Sequence, residues 1–380
     1  MRNIVILHIF PDDKFFDDTA DKFDSLSGVE NRYYYYVSEF GHKFKSIKKT
    51  DRVKIINNIF AYTKELRRKD VDFVFFHSMT GRNYLFASIL RKKAKIIWWG
   101  WGFDLYQWRS FLPPVIKIDI YKPLTKKFIE TNIIRRKNTI SYFFLYNTVG
   151  RLYAFLRRLA ISRVSLFMPC IPIEYELLKK NCLYFHGDLA INPSSIPQIE
   201  KSYFEKAGNV LVGNSLTYTN NHLDVFESLY KTEICDGRKY IIPVSYGLDY
   251  GGADNLISAS NFKKDTVIWL KDFMTLDDYN SLLKSVTHAI FGMVRQQGLG
   301  NIFSCLVSGV KVYLYKDSIA AKQLRRDGYV FYSIEDDLTT QSLSCCLSKT
   351  DSYHNYYTYI NFIRERNLHA VKKQLLSLVD

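Results

Sequence analysis

Apolar residues come in short unbroken runs separated by polar, helix-like stretches. In the second half the runs are NVLVGNS (209–215), KYIIPVSYG (239–247), DTVIWL (265–270), HAIFGM (288–293), VKVYLYKD (310–317) and GYVFYSI (328–334). Between them, NNHLDVFESLYK (220–231) gathers Leu223, Phe226, Leu229 and Tyr230 on one helical face. TLDDYNSLLKSV (275–286) opens with Thr275 as a cap and Asp277 and Asp278 in its first turn. Runs with no polar alternation are strands covered on both faces, and the helices between them make the connections parallel. The pattern predicts a doubly wound α/β domain of about six strands.

The first half repeats this rhythm less cleanly. NIVILHIF (3–10), NRYYYYVS (31–38), VDFVFFHSM (71–79), AKIIWWGW (94–101) and RVSLFMP (163–169) read as strands, and 51–69 and 80–92 as helices. A second Rossmann-like domain is expected over 1–190, the other over 205–356. Residues 186–208, with Pro193, Ser194, Ser195 and Pro197, form the linker, and a last helix (357–379) closes the chain.

Length and charge then narrow the picture. The 380 residues suit two domains. Net charge is +15, with 16% aromatic residues, which points to anionic partners. Residues 109–163 hold twelve Lys/Arg against Asp119 and Glu130, a net +10, interleaved with aromatics such as Phe111, Tyr121, Phe128, Phe143 and Phe155. This insert, about 109–160 in the first domain, suits an anionic bilayer surface, cations on headgroups and rings in the interface. The alternative is a solvated basic hairpin whose rings pack on the domain. RNA is a poorer fit, since the charge sits in one insert and no RRM, KH or helix-turn-helix pattern accompanies it.

The six cysteines show no ligand spacing and read as reduced thiols. The acidic run 11–24 lacks the spacing of a calcium loop, so no metal site is expected. The apolar start stops at Pro11 and resembles a strand more than a signal peptide, and no run approaches a membrane span. The expected location is the cytoplasmic side, with peripheral membrane contact.

Candidate chemistry falls at predicted strand ends. GMVRQQGLGN (292–301) leaves a strand and opens a helix, where free backbone amides and the helix dipole favour a phosphate. Arg295 supplies a guanidinium, Gln296 and Gln297 follow it, Gly298 and Gly300 permit close approach, and Asn301 lies in the helix start. Asn214 and Ser215 end another strand, as does IIPVSYG with Pro243 and Tyr246, where the ring suits a base or sugar. His8 and His77 close two first-half strands and are candidate bases or ligand-binding groups. Asp104 lies in WWGWGFDLY (98–106), a carboxylate among indoles, which reads either as a base of raised pKa or as a helix cap.

WGWGFDLY, VLVGNS, IIPVSY and VRQQGLGN, in this order, resemble the bacterial transferases of 4-acetamido-4,6-dideoxygalactose in enterobacterial common antigen synthesis. The resemblance covers most of the chain outside 109–150. It implies a GT-B glycosyltransferase of two Rossmann-like domains facing across a cleft, a dTDP-sugar donor and a polyprenyl-diphosphate-linked acceptor at the cytoplasmic face of the inner membrane. No cofactor or metal is implied. Donor binding is expected from Asn214, Ser215, Pro243, Tyr246, Arg295, Gln296, Gln297, Gly298, Gly300 and Asn301, and acceptor binding from Trp99, Trp101 and Tyr106; the resemblance does not identify the base, for which the sequence offers Asp104 first, then His77 and His8. The chain departs from the pattern in its longer 109–150 segment and in LDYGGAD after Tyr246, so an O-antigen or other surface glycan is an equally good destination. The rival classes are an RNA-binding protein and a non-catalytic sugar-nucleotide scaffold.

Overall fold

The computed structural model describes residues 3–10, 16–36, 47, 50–106, 112–133, 146–193, 201–232, 237–247, 249–272, 274–364 and 368–379. They form two compact units. The first comprises Met1–Lys117, Thr139–Ser195 and Ile363–Asp380, the second Ile118–Asn138 and Ile196–Phe362.

The first unit is built on a seven-stranded sheet in the order β3-β2-β1-β4-β5-β6-β7. Its strands are β1 Ile4–Phe10, β2 Val29–Tyr36, β3 Val53–Ile56, β4 Phe73–Phe76, β5 Lys95–Gly100, β6 Val164–Pro169 and β7 Asp188–Leu189. Every pairing is parallel. Alternate side chains pass to opposite faces. Ile4, Ile6, Phe73, Phe75, Ile97, Trp99, Leu166 and Met168 share one core with Phe23, Leu26, Val371 and Leu375. The helix Phe16–Asp24 and the last helix Leu368–Val379 therefore cover the same face.

The second unit carries a six-stranded sheet in the order β10-β9-β8-β11-β12-β13. Here β8 is Asn209–Val212, β9 Tyr240–Pro243, β10 Val267–Leu270, β11 Val286–Phe291, β12 Lys311–Leu314 and β13 Tyr332–Ser333. These too pair in parallel. Val210, Val212, Ile242 and Ile290 pack on Val225, Phe226 and Leu229 of the helix His222–Leu229. On the other face Leu211, Ile241, Ala289 and Phe291 pack on Ile302, Cys305 and Leu306 of the helix Leu299–Val307. The doubly wound reading holds for both halves.

Several expectations change. Residues 51–69 are not one helix: Val53, Ile55 and Ile56 form the edge strand β3, and Asn58 then caps the helix Ile59–Leu66, its Oδ1 accepting from Phe60 N (2.8 Å) and Ala61 N (3.2 Å). The 186–208 linker contributes β7. The closing helix is two, Lys349–Arg364 and Leu368–Val379. The basic insert does not stay whole in the first unit: residues 118–138 cluster with the second, and the parts on either side remain with the first. Asp224 accepts from Leu124 N (2.8 Å) and Thr125 N (2.9 Å), capping the helix Pro123–Ile133 from outside it, and Asn221 Oδ1 accepts from Lys122 N (2.8 Å). Phe128 packs there on Tyr250, ring centroids 5.3 Å apart. Arg109, Phe111, residues 135–137 and Phe143 lie outside the described residues.

Arg163 fastens the helix layer of the first unit. It follows the helix Arg151–Ser162 and donates to the carbonyls of Ala87 and Ser88 (both 2.8 Å), Leu90 (2.9 Å) and Arg91 (3.2 Å). These are the outgoing carbonyls of the helix Arg82–Ile89 and of the turn after it. Arg163→Ala leaves them without their cation and is expected to cost about 2 kcal/mol in urea unfolding. Arg163→Lys should recover only part of that, because an ammonium lacks the planar fork.

Candidate functional site

In a doubly wound sheet, ligands meet the carboxyl edge where successive crossovers leave in opposite directions. In the second unit that point lies between β8 and β11, since the chain leaves β8 toward β9 and leaves β11 toward β12. The turn after β8 carries Asn214 and Ser215, and the turn after β11 carries Arg295, Gln296, Gln297 and Gly298. The two turns are stitched together. Gln297 Nε2 donates to Asn214 Oδ1 (3.3 Å), Ser215 Oγ (3.4 Å) and Thr217 Oγ1 (3.0 Å), while its Oε1 accepts from the Thr219 hydroxyl. Asn214 Nδ2 reaches the Tyr246 hydroxyl at 3.2 Å, which adds the turn after β9.

Beneath these groups, Asn220 Oδ1 accepts from Asn214 N (3.0 Å), and Asn221 Nδ2 donates to Gly292 O (2.8 Å). Asn221 holds φ 50°, a left-handed conformation that asparagine tolerates better than most residues. Gly298 has φ +63°, and a Cβ there would lie 2.9 Å from Met293 Cε and 3.1 Å from Asn214 Nδ2. Gly300, in the first turn of helix 299–307, faces open space. Its neighbouring amides present an electropositive helix start, as an anion requires. The Arg295 guanidinium is buried, donates to Gln296 O at 2.6 Å and lies near enough to Tyr246 and Tyr121 to act on their charge.

The first unit has its own switch point, between β1 and β4. His8 and His77 sit there, both buried, with His8 Nδ1 3.0 Å from His77 Nε2. Asn31 fixes their protons. Its Nδ2 donates to Phe23 O (2.9 Å) and Asp24 Oδ1 (3.2 Å), so its Oδ1 is the acceptor facing His8 Nε2 at 3.1 Å. His8 then carries its proton on Nε2 and accepts at Nδ1 from His77 Nε2–H. That leaves His77 Nδ1 as a lone pair with no partner among the described residues. Burial lowers both pKa values, that of His8 to about 3, so both rings are neutral. Phe10 stacks on His77 at 3.8 Å and holds the ring in place.

Asp104 is 3% exposed and its oxygens are taken. Oδ2 accepts from Trp98 Nε1 (2.8 Å) and Met79 N (3.1 Å), and Oδ1 from Trp101 N (2.9 Å). Burial pushes its pKa up, and the three donors act in the opposite direction. Trp98 is fully buried core, Trp99 is nearly so, and Trp101 stacks on Trp99 at 4.7 Å and is half-buried. Tyr106 is buried and interacts with Glu174, a wholly buried carboxyl at the start of the helix Ile173–Asn181.

A family model described as 4-alpha-L-fucosyltransferase glycosyl transferase group 56 matches residues 146–366. That is more than half of the chain. The chain belongs to glycosyl transferase group 56. Among solved structures it is similar to the apo form of the lipopolysaccharide outer core galactosyltransferase WaaB, with 12% identity, 98% of this chain and 99% of that one covered, and a TM-score of 0.61. An alpha,alpha-trehalose 6-phosphate synthase from Burkholderia multivorans matches with 9% identity, 100% and 96% covered, and a TM-score of 0.59. WaaG, a glycosyltransferase involved in lipopolysaccharide biosynthesis, matches with 10% identity, 99% of each chain covered and a TM-score of 0.54. These likenesses give the fold, GT-B.

In this group 56 glycosyltransferase the expected donor residues divide. Asn214, Ser215, Tyr246, Arg295, Gln297 and Gly298 surround one switch point. Pro243 is buried inside β9, Gln296 turns inward, and Asn301 reaches only Tyr279, at 3.5 Å. Of the expected acceptor groups, Tyr106 and Trp99 are packed inside the unit and Trp101 alone keeps substantial exposure. Asp104 is committed to holding the turns after β4 and β5. Thr217, Thr219, Asn220 and Asn221 were missed; their signal is the polar run SLTYTNN between a strand and a helix. Glu174 and Asn31 were missed because nothing in the sequence marks either as buried. No helix among the described residues is long and apolar enough to cross a membrane.

Two outcomes follow. Asp104→Asn must set an amide N–H against one of its donors, so melting should fall with a loss of roughly 1–3 kcal/mol while nucleotide affinity is kept; unchanged melting would remove the positioning role. Burial pushes the Glu174 pKa up to about 8, above its unfolded value, so its native form keeps a proton that the unfolded chain loses. That stabilisation is complete below the unfolded pKa and is lost as pH rises through about 8. Glu174→Gln, always neutral, should therefore gain stability relative to the parent from pH 5 to pH 8, read by denaturant midpoints at each pH.

Proposed function

We propose that this glycosyltransferase moves a 6-deoxyhexose, a 4-acetamido-4,6-dideoxyhexose, from a dTDP-sugar to a polyprenyl-diphosphate-linked saccharide in bacterial surface glycan synthesis, at the cytoplasmic face of the inner membrane. The donor class is carried by one observation: two polar turns bridged by Gln297 beside an open, glycine-containing helix start. Such a site matches a diphosphate in charge and shape. Arg295 and the amides of helix 299–307 stabilise the leaving diphosphate as its charge develops. Asn214, Ser215 and Gln297 fix the position of the sugar nucleotide, and Tyr246 offers its ring to base or sugar. The family description names an L-fucosyl group, and the motif resemblance names a 4-acetamido 6-deoxyhexose of the D series. Their agreement at the 6-deoxy position supports a 6-deoxyhexose.

The first unit takes the acceptor. Its base is His77 rather than Asp104, because Nδ1 of His77 is a neutral lone pair held in place by His8, while the Asp104 oxygens already accept three donors. Asp104 is a positioning residue. Trp101 supplies the exposed aromatic face for a sugar ring.

With Arg295→Ala, kcat at saturating donor should fall about 10²-fold or more, with folding intact. Turnover near that of the parent enzyme would remove Arg295 from the transition state. A panel of dTDP- and UDP-sugars with a short-chain prenyl-diphosphate acceptor, read by mass spectrometry, checks the donor; no transfer from any dTDP-sugar would overturn it.

A further inference from the structure

In the first unit the helices Ile59–Leu66, Arg82–Ile89 and Arg151–Ser162 form one layer. Tyr62 meets Phe86 with ring centroids 4.6 Å apart, helix 82–89 packs on helix 151–162, and Arg163 clasps their outgoing ends. Helices 59–66 and 82–89 start just after a strand, and helix 151–162 ends just before β6. All three therefore begin at the carboxyl edge of the sheet and run toward its amino edge. Their beginnings form a rim.

The rim is apolar where solvent reaches it. Phe60 is 83% exposed, Ile59 39%, Leu152 56% and Phe155 63%. Leu152, Phe155 and Leu159 follow the spacing of one helical face, and all three stand outside the core. Exposed Arg82 and Arg151 lie at the starts of their helices, and Arg158 flanks the stripe. Residues 55–62, 80–86 and 148–155, which make the rim, contain no Asp or Glu. Two of these stretches lie outside the basic insert, so this patch is assembled by the fold.

We propose that this rim docks the enzyme on an anionic lipid bilayer, Phe60, Leu152 and Phe155 entering the interface and Arg82 and Arg151 meeting headgroups. A face of exposed rings and aliphatic side chains, flanked by arginines and with no acid in its three stretches, is complementary to a negatively charged interface. A bilayer satisfies the apolar side chains and the cations together. The inference deepens the reading of a lipid-linked acceptor, since a docked rim brings the carboxyl edge of the first unit to the membrane.

The test is vesicle co-sedimentation of the full chain with phosphatidylethanolamine alone or mixed with phosphatidylglycerol. The parent should bind the mixed vesicles and release as salt rises. Phe60→Ser with Phe155→Ser should weaken binding about tenfold or more, and Arg82→Glu with Arg151→Glu should abolish the dependence on phosphatidylglycerol. Leu183→Ser, at an 87% exposed leucine beyond the helix Ile173–Asn181, should bind as the parent does. Phe60, Phe155 and Leu183 are exposed, so melting of their variants should hold, and melting of the Arg82/Arg151 variant is measured alongside because Arg82 lies over the Tyr36 ring at 5.1 Å. Parent-like binding by the Phe60/Phe155 variant would overturn the proposal, as would equal loss in Leu183→Ser. Conversion of a dimer to a monomer by the Phe60/Phe155 change, without loss of vesicle binding, would reassign the rim to self-association. Transfer to a short-chain acceptor in detergent should stay at the parent level in that variant; its loss would place these residues in the reaction site instead. Should the parent fail with every dTDP-sugar, the vesicle result would stand unaffected, so the two readings fail separately.

Discussion

A parallel sheet covered by helices on both faces leaves no room for chemistry on its faces. The faces of the central strands in both units are filled by side chains packed against the helix layers. Polar side chains can gather where neighbouring crossovers part company, at the carboxyl edge. That constraint places the Gln297 bridge in the second unit and the His8–His77 pair in the first. Both sites are positioned by topology before any residue in them is chosen.

The two sites answer this constraint with different chemistry. The second unit gathers neutral amides and hydroxyls: Asn214, Ser215, Thr217, Thr219, Asn220 and Gln297. Each satisfies the others, which keeps the cradle rigid. The first unit instead buries titratable groups and holds them neutral. His8, His77 and Glu174 are all shifted toward their uncharged forms by the same cause, loss of water. Burial shifts Asp104 the same way, opposed by the one indole and two backbone donors that replace its water.

How much of this was legible in the sequence depended on whether one local signal carried it. The buried strands were legible because both faces are covered and polar residues have no place in them. RQQGLG was legible as the turn between β11 and the helix Leu299–Val307, because glycines between an apolar run and a helical stretch mark such a turn. The edge strand Val53–Ile56 was not, because an exposed edge needs no continuous apolar run. For Asp104 the sequence left two readings open, a base or a cap, because a carboxylate among indoles looks the same whether it faces solvent or accepts their N–H groups. The proton positions of His8 and His77 were beyond reach, since they depend on Asn31, which is brought to His8 by the pairing of β1 with β2.

The docking of the last helix has a consequence for how the molecule is made. Val371 and Leu375 complete the core of the first unit, and Gln374 pairs with Ile191 N at 3.0 Å and Leu189 O at 2.7 Å. The second unit, meanwhile, recruits residues 118–138 and is complete by Phe362. During synthesis the unit that begins the chain is therefore the last to close. Its sheet is laid down first, and one face of it waits until residues 368–379 have emerged before their helix covers it. Truncation at the carboxyl terminus is thus a lesion of the amino-terminal half.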